Sequence, residues 1–271
     1  MTIHNVKYRA VVFSGMILLL CTGMDGRVGT GERSVSVYEH VTQALVWYQT
    51  SAECRALYYQ AYNTARMLLD NDIRDHSYTK KRAIVFDIDE TILDDSPHSV
   101  MLLKQNKLFP YRYDEWIEAA KEEALPGALE FAQYASSLGV DLFYISNRTT
   151  PMMKATVRNL RSAGFPQAEE SHILLMGDDP SKESRRKAVA ADHEVVLLLG
   201  DNLNDLSNAF ENKSVADRLA EADKAKSKFG SKYIVLPNPA YGAWESAVYD
   251  YKSNLSEEEK DAKRKSVLRS F

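Results

Sequence analysis

Five short apolar runs punctuate the chain, at Ala83–Phe86, Val140–Ile145, His172–Met176, Val195–Leu199 and Tyr233–Leu236. They are continuous rather than alternating, which fits parallel strands buried on both faces better than half-exposed strands. Helical periods separate them. Pro126 and Gly127 open an amphipathic stretch that ends near Leu138 and Gly139, a second runs from Met152 to Ala163 with Gly164 as a stop, and a third begins at Lys182. Strands alternating with such helices predict an α/β fold, a Rossmann-like parallel sheet with helices on both faces.

Three segments decorate that core. From Tyr38 to Asp70, Val41, Leu45, Tyr48, Ala52, Leu57, Ala61, Ala65 and Leu68 recur at helical spacing, predicting one long helix or two broken near Thr50 and Ser51. The stripe of Tyr58, Tyr59 and Tyr62 on this N-terminal helical portion is assigned to packing, because aromatic rings bury large areas. Residues 96–125 form an insertion after the first strand, with two short apolar patches and a helix around Tyr113 to Glu123. The tail, Ser256 to Phe271, is a charge-mixed helix with little apolar surface to anchor it. The expected organisation is a signal peptide over 1–20, a tether over 21–36, and one domain over 37–255 holding helices 38–70 and an α/β core at about 80–250.

The chain of 271 residues carries 34 Lys and Arg against 38 Asp and Glu, so no basic field exists to attract a nucleic-acid polymer. Nucleotide monomers are not excluded, since a local site can concentrate charge. At the N-terminus, His4, Lys7 and Arg9 precede an apolar run from Ala10 to Leu20, the layout of an export signal and too short to span a bilayer. Cys21 follows at once, as at the lipidation site of bacterial lipoproteins, although Leu20 stands where a small residue is usual. Export to the cell envelope, anchored by lipid at the outer membrane or in the periplasm, is the expectation. The other cysteine, Cys54, then lacks a disulfide partner and reads as core. Gly23, Gly26, Gly29 and Gly31 follow no apolar strand and are assigned to the tether rather than to a phosphate loop.

Chemistry gathers at the strand ends. The first run stops at Asp87-Ile88-Asp89-Glu90-Thr91, the second at Ser146, Asn147 and Arg148, and the fourth at Gly200-Asp201-Asn202-Leu203-Asn204-Asp205. Ligands of open α/β sheets bind outside the carboxyl ends of strands, so these clusters converge on one edge. Phosphoryl transfer needs a nucleophile, a proton donor for the leaving oxygen and positive charge around the equatorial oxygens. Asp87 is the candidate nucleophile, Asp89 the acid and base, Ser146 a donor to a phosphoryl oxygen, and Lys182 the cation. Asp201 and Asp205, one helical turn apart, complete with Asp87 an all-oxygen cluster suited to Mg²⁺. Taken alone, Asp201 also fits a helix N-cap.

Asp-x-Asp-x-Thr after a buried strand resembles the first motif of the haloacid dehalogenase (HAD) superfamily. The resemblance narrows to the class C bacterial acid phosphatases, the lipoprotein e group, through SAECRALYYQAYNTAR (51–66), FDIDETILDDSP (86–97), LPGALEF (125–131), FYISNR (143–148), LLLGDNLNDL (197–206) and LPNPAYGAWE (236–245). It implies a Rossmann-like core with a small cap-like insertion, Mg²⁺ dependence, surface lipidation, and hydrolysis of phosphomonoesters such as 5′-nucleotides and nicotinamide mononucleotide through an aspartyl phosphate. It also implies Asp87, the Asp89 backbone carbonyl, Asp201 and Asp205 as metal ligands, and Asn147 and Arg148 as substrate-binding residues. Tyr113 and Tyr241 match positions where rings sandwich a nucleobase, and members of the group are commonly dimers. Asp95 stands where the group often has Asn, and Asn204 where it often has Asp. Two other readings exist: a surface lipoprotein that binds a ligand such as haem with little turnover, and phosphoryl transfer to a second substrate. The acid-base carboxylate two residues from a nucleophile argues against the first, and the export signal with the tyrosine pair against the second.

Overall fold

The computed structural model describes residues 37–271; the expected signal peptide and the whole expected tether, Cys21 included, lie outside the described residues. Ser51 divides the N-terminal helical region into α1 (Thr42–Thr50) and α2 (Ala52–Asp75). Its backbone is extended, and its hydroxyl accepts a hydrogen bond from the Cys54 amide at 3.0 Å, capping α2. Cys54 itself is buried and free, as core packing requires. The chain then runs through β1 (Lys81–Phe86), α3 (Ser96–Gln105), α4 (Tyr113–Ala119), α5 (Ala128–Ser137), β2 (Asp141–Thr149), α6 (Met153–Ser162) and β3 (Ile173–Met176). It continues with α7 (Glu183–Asp192), β4 (His193–Gly200), α8 (Leu203–Leu206), α9 (Val215–Lys224), β5 (Tyr233–Val235), α10 (Ala243–Val248) and α11 (Glu257–Ser266).

The five strands form one parallel sheet in the order β3-β2-β1-β4-β5. The winding direction reverses between β1 and β4, and a crevice opens where the crossovers leave in opposite directions. Residues alternate between two cores. Ile84, Phe86, Leu142, Tyr144, Leu197 and Leu199 pack with Tyr58, Tyr62 and Leu69 of α2 and with Phe131 of α5. Ala83, Val85, Phe143, Ile145 and Leu198 pack with Val189 of α7 and Leu206 of α8. Both faces are therefore covered, which is why the strands read as unbroken apolar runs.

Three expectations are corrected. The helix expected over Tyr113 to Glu123 stops at Ala119, with Ala120 in the left-handed region at φ 48°. The chain leaves the helix because residues 123–125 pair with the loop after β1: Asp94 N–H donates to Glu123 O, and Leu125 N–H to Ile92 O, each at 2.9 Å. The apolar patches after Asp95 include a helix, α3, with Pro97 in its first turn and Asn106 in the left-handed conformation at its end. And β2 does not stop before Ser146; it runs to Thr149, with Asn147 exposed and Arg148 buried.

The tyrosine stripe also divides. Tyr59 is 41% exposed, under Arg55, whereas Tyr58 and Tyr62 are buried. The Tyr58 hydroxyl donates to Glu90 O at 2.6 Å and that of Tyr62 to Thr91 O at 2.5 Å, so α2 grips the backbone just beyond Asp87. At the C-terminus, α11 is capped by Ser256 and Glu259 and meets α10's end through Lys263 on Asp250 and Arg264 on Tyr249, with no buried residue of its own. No helix among the described residues is long and apolar enough to cross a membrane. Tyr62→Phe leaves the enclosed Thr91 carbonyl without its donor and is expected to cost about 1–3 kcal/mol in urea unfolding, while Tyr59→Phe should stay within about 0.5 kcal/mol. Equal small effects would contradict the grip assigned to α2.

Candidate active site

Parallel pairing of β1 with β4 sets Phe86 beside Leu199, and the Asp87 amide donates to Leu199 O at 2.9 Å. The next residue of each strand's exit is thus acidic: Asp87 after β1, Asp201 after β4. Asp205 comes from α8. Its place is set by a capping box in which Asn202 N–H donates to Asp205 Oδ2 at 2.9 Å, so Asn202 and not Asp201 caps this helix. Gly200 permits the approach, because a Cβ there would lie 2.5 Å from the Asp205 Cβ. Asp87, Asp201 and Asp205 offer carboxylate oxygens within 4.8 Å of one another.

Among the described residues, one ammonium pairs with the trio. Lys182, at the N-cap of α7, is buried; its ammonium is paired with Asp87 and lies 2.7 Å from Asp205 Oδ1. Burial works against that charge, but Asp205 and Asp87 prevail and the lysine pKa is raised. Burial pushes Asp87 up to about 7, with Lys182 pulling down and Asp205 and Asp89 pushing up. Asp201 is raised well above the usual carboxylate range by burial, then by Asp205 and Asp87. Three carboxylates and one ammonium leave two negative charges uncompensated, held by oxygen donors only. That donor set fits a hard divalent cation. Thr91 orders it: its hydroxyl lies 3.1 Å from Asp87 Oδ2 and accepts from the Asp201 amide at 3.1 Å, while Asn238 Nδ2 donates to Asp201 Oδ2 at 2.8 Å.

Asp89 lies in different company. Ser146 Oγ donates to its Oδ2 at 3.1 Å, and the Arg148 guanidinium donates to its Oδ1 through Nε at 3.0 Å and Nη2 at 2.6 Å. Arg148, expected to bind substrate, is 1% exposed and its charge is taken up by Asp89 and by Glu122, 2.6 Å from Nη2. Asn147 is exposed, and its Oδ1 accepts from Arg185 Nη2 at 2.7 Å; Arg185 Nη1 also donates to Ser146 O at 2.7 Å. Tyr241 donates its hydroxyl to the Glu90 carboxyl group. Tyr113 lies in a ring cluster, with centroids 5.0 Å from Phe109 and 5.2 Å from His98. Burial raises the pKa of both phenols, followed by Asp89 for Tyr113 and by Glu90 for Tyr241.

Sequence reasoning missed Glu122, Asn238, Arg185 and the part played by Glu90. Glu90 has a left-handed backbone at φ 54°, a buried carboxyl group, and a carbonyl held by Tyr58. Strain of that kind concentrates at functional loops, and no residue-type signal announces it.

A parallel sheet of this order with an Asp-x-Asp loop, a buried lysine and an acidic trio at the switch point defines a phosphohydrolase of the HAD class. The family profile described as HAD superfamily, subfamily IIIB (acid phosphatase), matches residues 31–244, and the chain belongs to that family. The class C acid phosphatase from Bacillus anthracis superposes with a TM-score of 0.85 at 47% identity, covering 88% of this chain and 100% of that one. That relative has also been solved with tungstate bound. The stem 28 kDa glycoprotein of Glycine max is 29% identical over 205 residues, 71% of this chain and 69% of that protein. Acid phosphatase 1 of Solanum lycopersicum is 29% identical over 131 residues, 45% and 51% of the two chains. The protein is thus an acid phosphatase, a phosphomonoesterase, and its acidic trio could hold the metal ion on which phosphatases of the superfamily depend.

The raised carboxylates make a prediction about stability. Native Asp87 and Asp201 hold protons at pH values where the unfolded chain has released them, so metal-free stability from both is greatest below about pH 4 and is lost as pH rises, for Asp87 through about 7. In thermal unfolding, Asp87→Asn should raise the Tm of metal-free protein at about pH 7 more than at about pH 5. A larger gain at the lower pH would contradict the assignment.

Proposed function

We propose that this acid phosphatase hydrolyses phosphomonoesters by transient phosphorylation of Asp87, with Mg²⁺ in the acidic trio. The observation that carries the reading is the division of labour between two carboxylates two residues apart, Asp87 against Lys182 and Asp205, Asp89 against Ser146 and Arg148. In the first step an Asp87 oxygen bonds to phosphorus while the ester P–O bond breaks, and Asp89 gives its proton to the departing alkoxide. In the second step Asp89 takes a proton from water, the water oxygen bonds to phosphorus, and the Asp87–phosphorus bond breaks to restore the carboxylate. Lys182 and the Ser146 hydroxyl hold phosphoryl oxygens through both steps, and Asn147 lies at the rim. Asp87, Asp201, Asp205 and the Asp89 backbone carbonyl would hold Mg²⁺, which supplies positive charge to phosphoryl oxygens and offsets the repulsion within the trio. Binding of tungstate, a tetrahedral oxyanion, by the Bacillus anthracis relative supports a phosphate-shaped site.

The leaving groups proposed are nucleosides and nicotinamide riboside, on the strength of Tyr241, hydrogen-bonded to Glu90 in the loop after β1, and Tyr113, packed with Phe109 and His98 in the insertion. Stacking contributes about 1–3 kcal/mol per base and tolerates different bases, so broad nucleotide specificity is expected. We further propose that the enzyme is exported and lipid-anchored through Cys21, supported by the apolar run from Ala10 to Leu20. A homodimer belongs to the same proposal.

Phosphate release from a 5′-nucleotide should require added Mg²⁺ after treatment with chelator, and Asp87→Asn should abolish it while circular dichroism stays native. Release by that variant at the wild-type rate would exclude the covalent route. Tyr241→Ala should raise KM for nucleotides roughly 5- to 100-fold and leave KM for a small alkyl phosphate nearly unchanged, the range following from the stacking energy. An equal rise for both substrates would remove Tyr241 from base recognition.

A further inference from the structure

A second set of buried charges stands behind the proton donor, and the phosphate site makes no use of it. Glu122 follows α4, and its side chain is fully enclosed, with the Arg148 guanidinium 2.6 Å away. Arg148 is as deeply enclosed and reaches Asp89 with two nitrogens. Glu122 is itself clasped at the backbone by Asn159 of α6, whose Oδ1 accepts from Glu122 N–H at 3.0 Å and whose Nδ2 donates to Glu122 O at 2.9 Å. Thr156, one turn earlier on α6, lies 3.5 Å from Arg148 Nη1. A rigid helix thus fixes a carboxylate, the carboxylate fixes a guanidinium, and the guanidinium fixes Asp89. Burying such charges is costly, and well-packed apolar residues would often serve stability as well or better. Their geometry relative to Asp89 gives a different reason for them.

We infer that Glu122, acting through Arg148, is a positioning residue that holds the Asp89 carboxyl group at the angle needed to protonate the leaving oxygen. The inference rests on the reading of Asp89 as the proton donor. With Glu122 neutral, Arg148 keeps one anchoring carboxylate instead of two, and the Asp89 carboxyl group loses its fixed orientation. The cost then falls on reactions that need the proton. An alkoxide is a poor leaving group and must be protonated as it departs; 2,4-dinitrophenolate leaves without a proton.

The test uses the full chain with Mg²⁺ and compares kcat/KM for ethyl phosphate and for 2,4-dinitrophenyl phosphate, a ratio that reports only steps through the first irreversible one. Glu122→Gln is expected to lose on the order of 10- to 100-fold with ethyl phosphate and less than about 3-fold with the dinitrophenyl ester, in the range found when an outer-shell partner is removed. Asn159→Ala, which leaves both charges and unseats only the Glu122 backbone, is expected to show the same selectivity at smaller amplitude, and it carries the test if Glu122→Gln does not fold. Equal losses with both esters, or no loss with either, would overturn the inference. Asp89→Asn separates the two levels. If it too loses equally on both esters, the proton-donor reading fails; if it is selective and the Glu122 and Asn159 variants are not, only the positioning role fails.

Discussion

Repulsion among three buried carboxylates is the constraint around which this molecule is arranged. Asp87, Asp201 and Asp205 cannot all be ionised in a crevice shielded from water unless positive charge joins them, and Lys182 supplies one unit where three are needed. The remaining deficit is one that a divalent cation could make good, and phosphoryl oxygens could share that charge. The lysine therefore has two effects at once. It pulls the Asp87 pKa down against burial, and once all three carboxylates ionise it leaves them short of positive charge.

The fold holds that unstable arrangement by controlling backbone. Parallel pairing of β1 and β4 brings two acidic strand exits side by side, and the absence of a side chain at Gly200 lets Asp205 lie close against the chain. Loop residues 90 and 91 are gripped from below by the two phenols of α2, and residues 92–94 are tied to 123–125. The N-terminal helices and the insertion are thereby parts of the site, although neither contributes a residue to the acidic trio. Arg148 and Glu122 extend the same principle to Asp89: the carboxylate proposed to change protonation is held by a guanidinium that is itself held by Glu122.

Much of this was legible in the sequence. Buried parallel strands leave continuous apolar runs, and chemistry at their ends leaves abrupt polarity, so the sheet, the Asp-x-Asp loop and Asp201 with Asp205 could be read from pattern alone. What could not be read depends on long-range pairing. Ala120 is a good helix former, and nothing local predicts that α4 ends there; the helix yields because residues 123–125 are claimed by the loop after β1. Glu122 resembles any glutamate of a surface helix until that turn directs it inward to Arg148. Likewise Asn202 and Asp201 have similar capping ability, and only the geometry of α8 frees Asp201 for the cluster.

The central claim is that the acidic trio, once its charge is balanced by a divalent cation, makes Asp87 a nucleophile toward phosphorus. The most direct measurement is an acid quench within a single turnover on a phosphomonoester labelled in its phosphoryl group, followed by peptide mapping, with Mg²⁺ and with chelator. The account predicts a hydroxylamine-sensitive acyl phosphate on the peptide carrying Asp87, formed with Mg²⁺ and lost with chelator. Phosphate released at full rate with no label trapped on that peptide, or label trapped equally well without the cation, would contradict it.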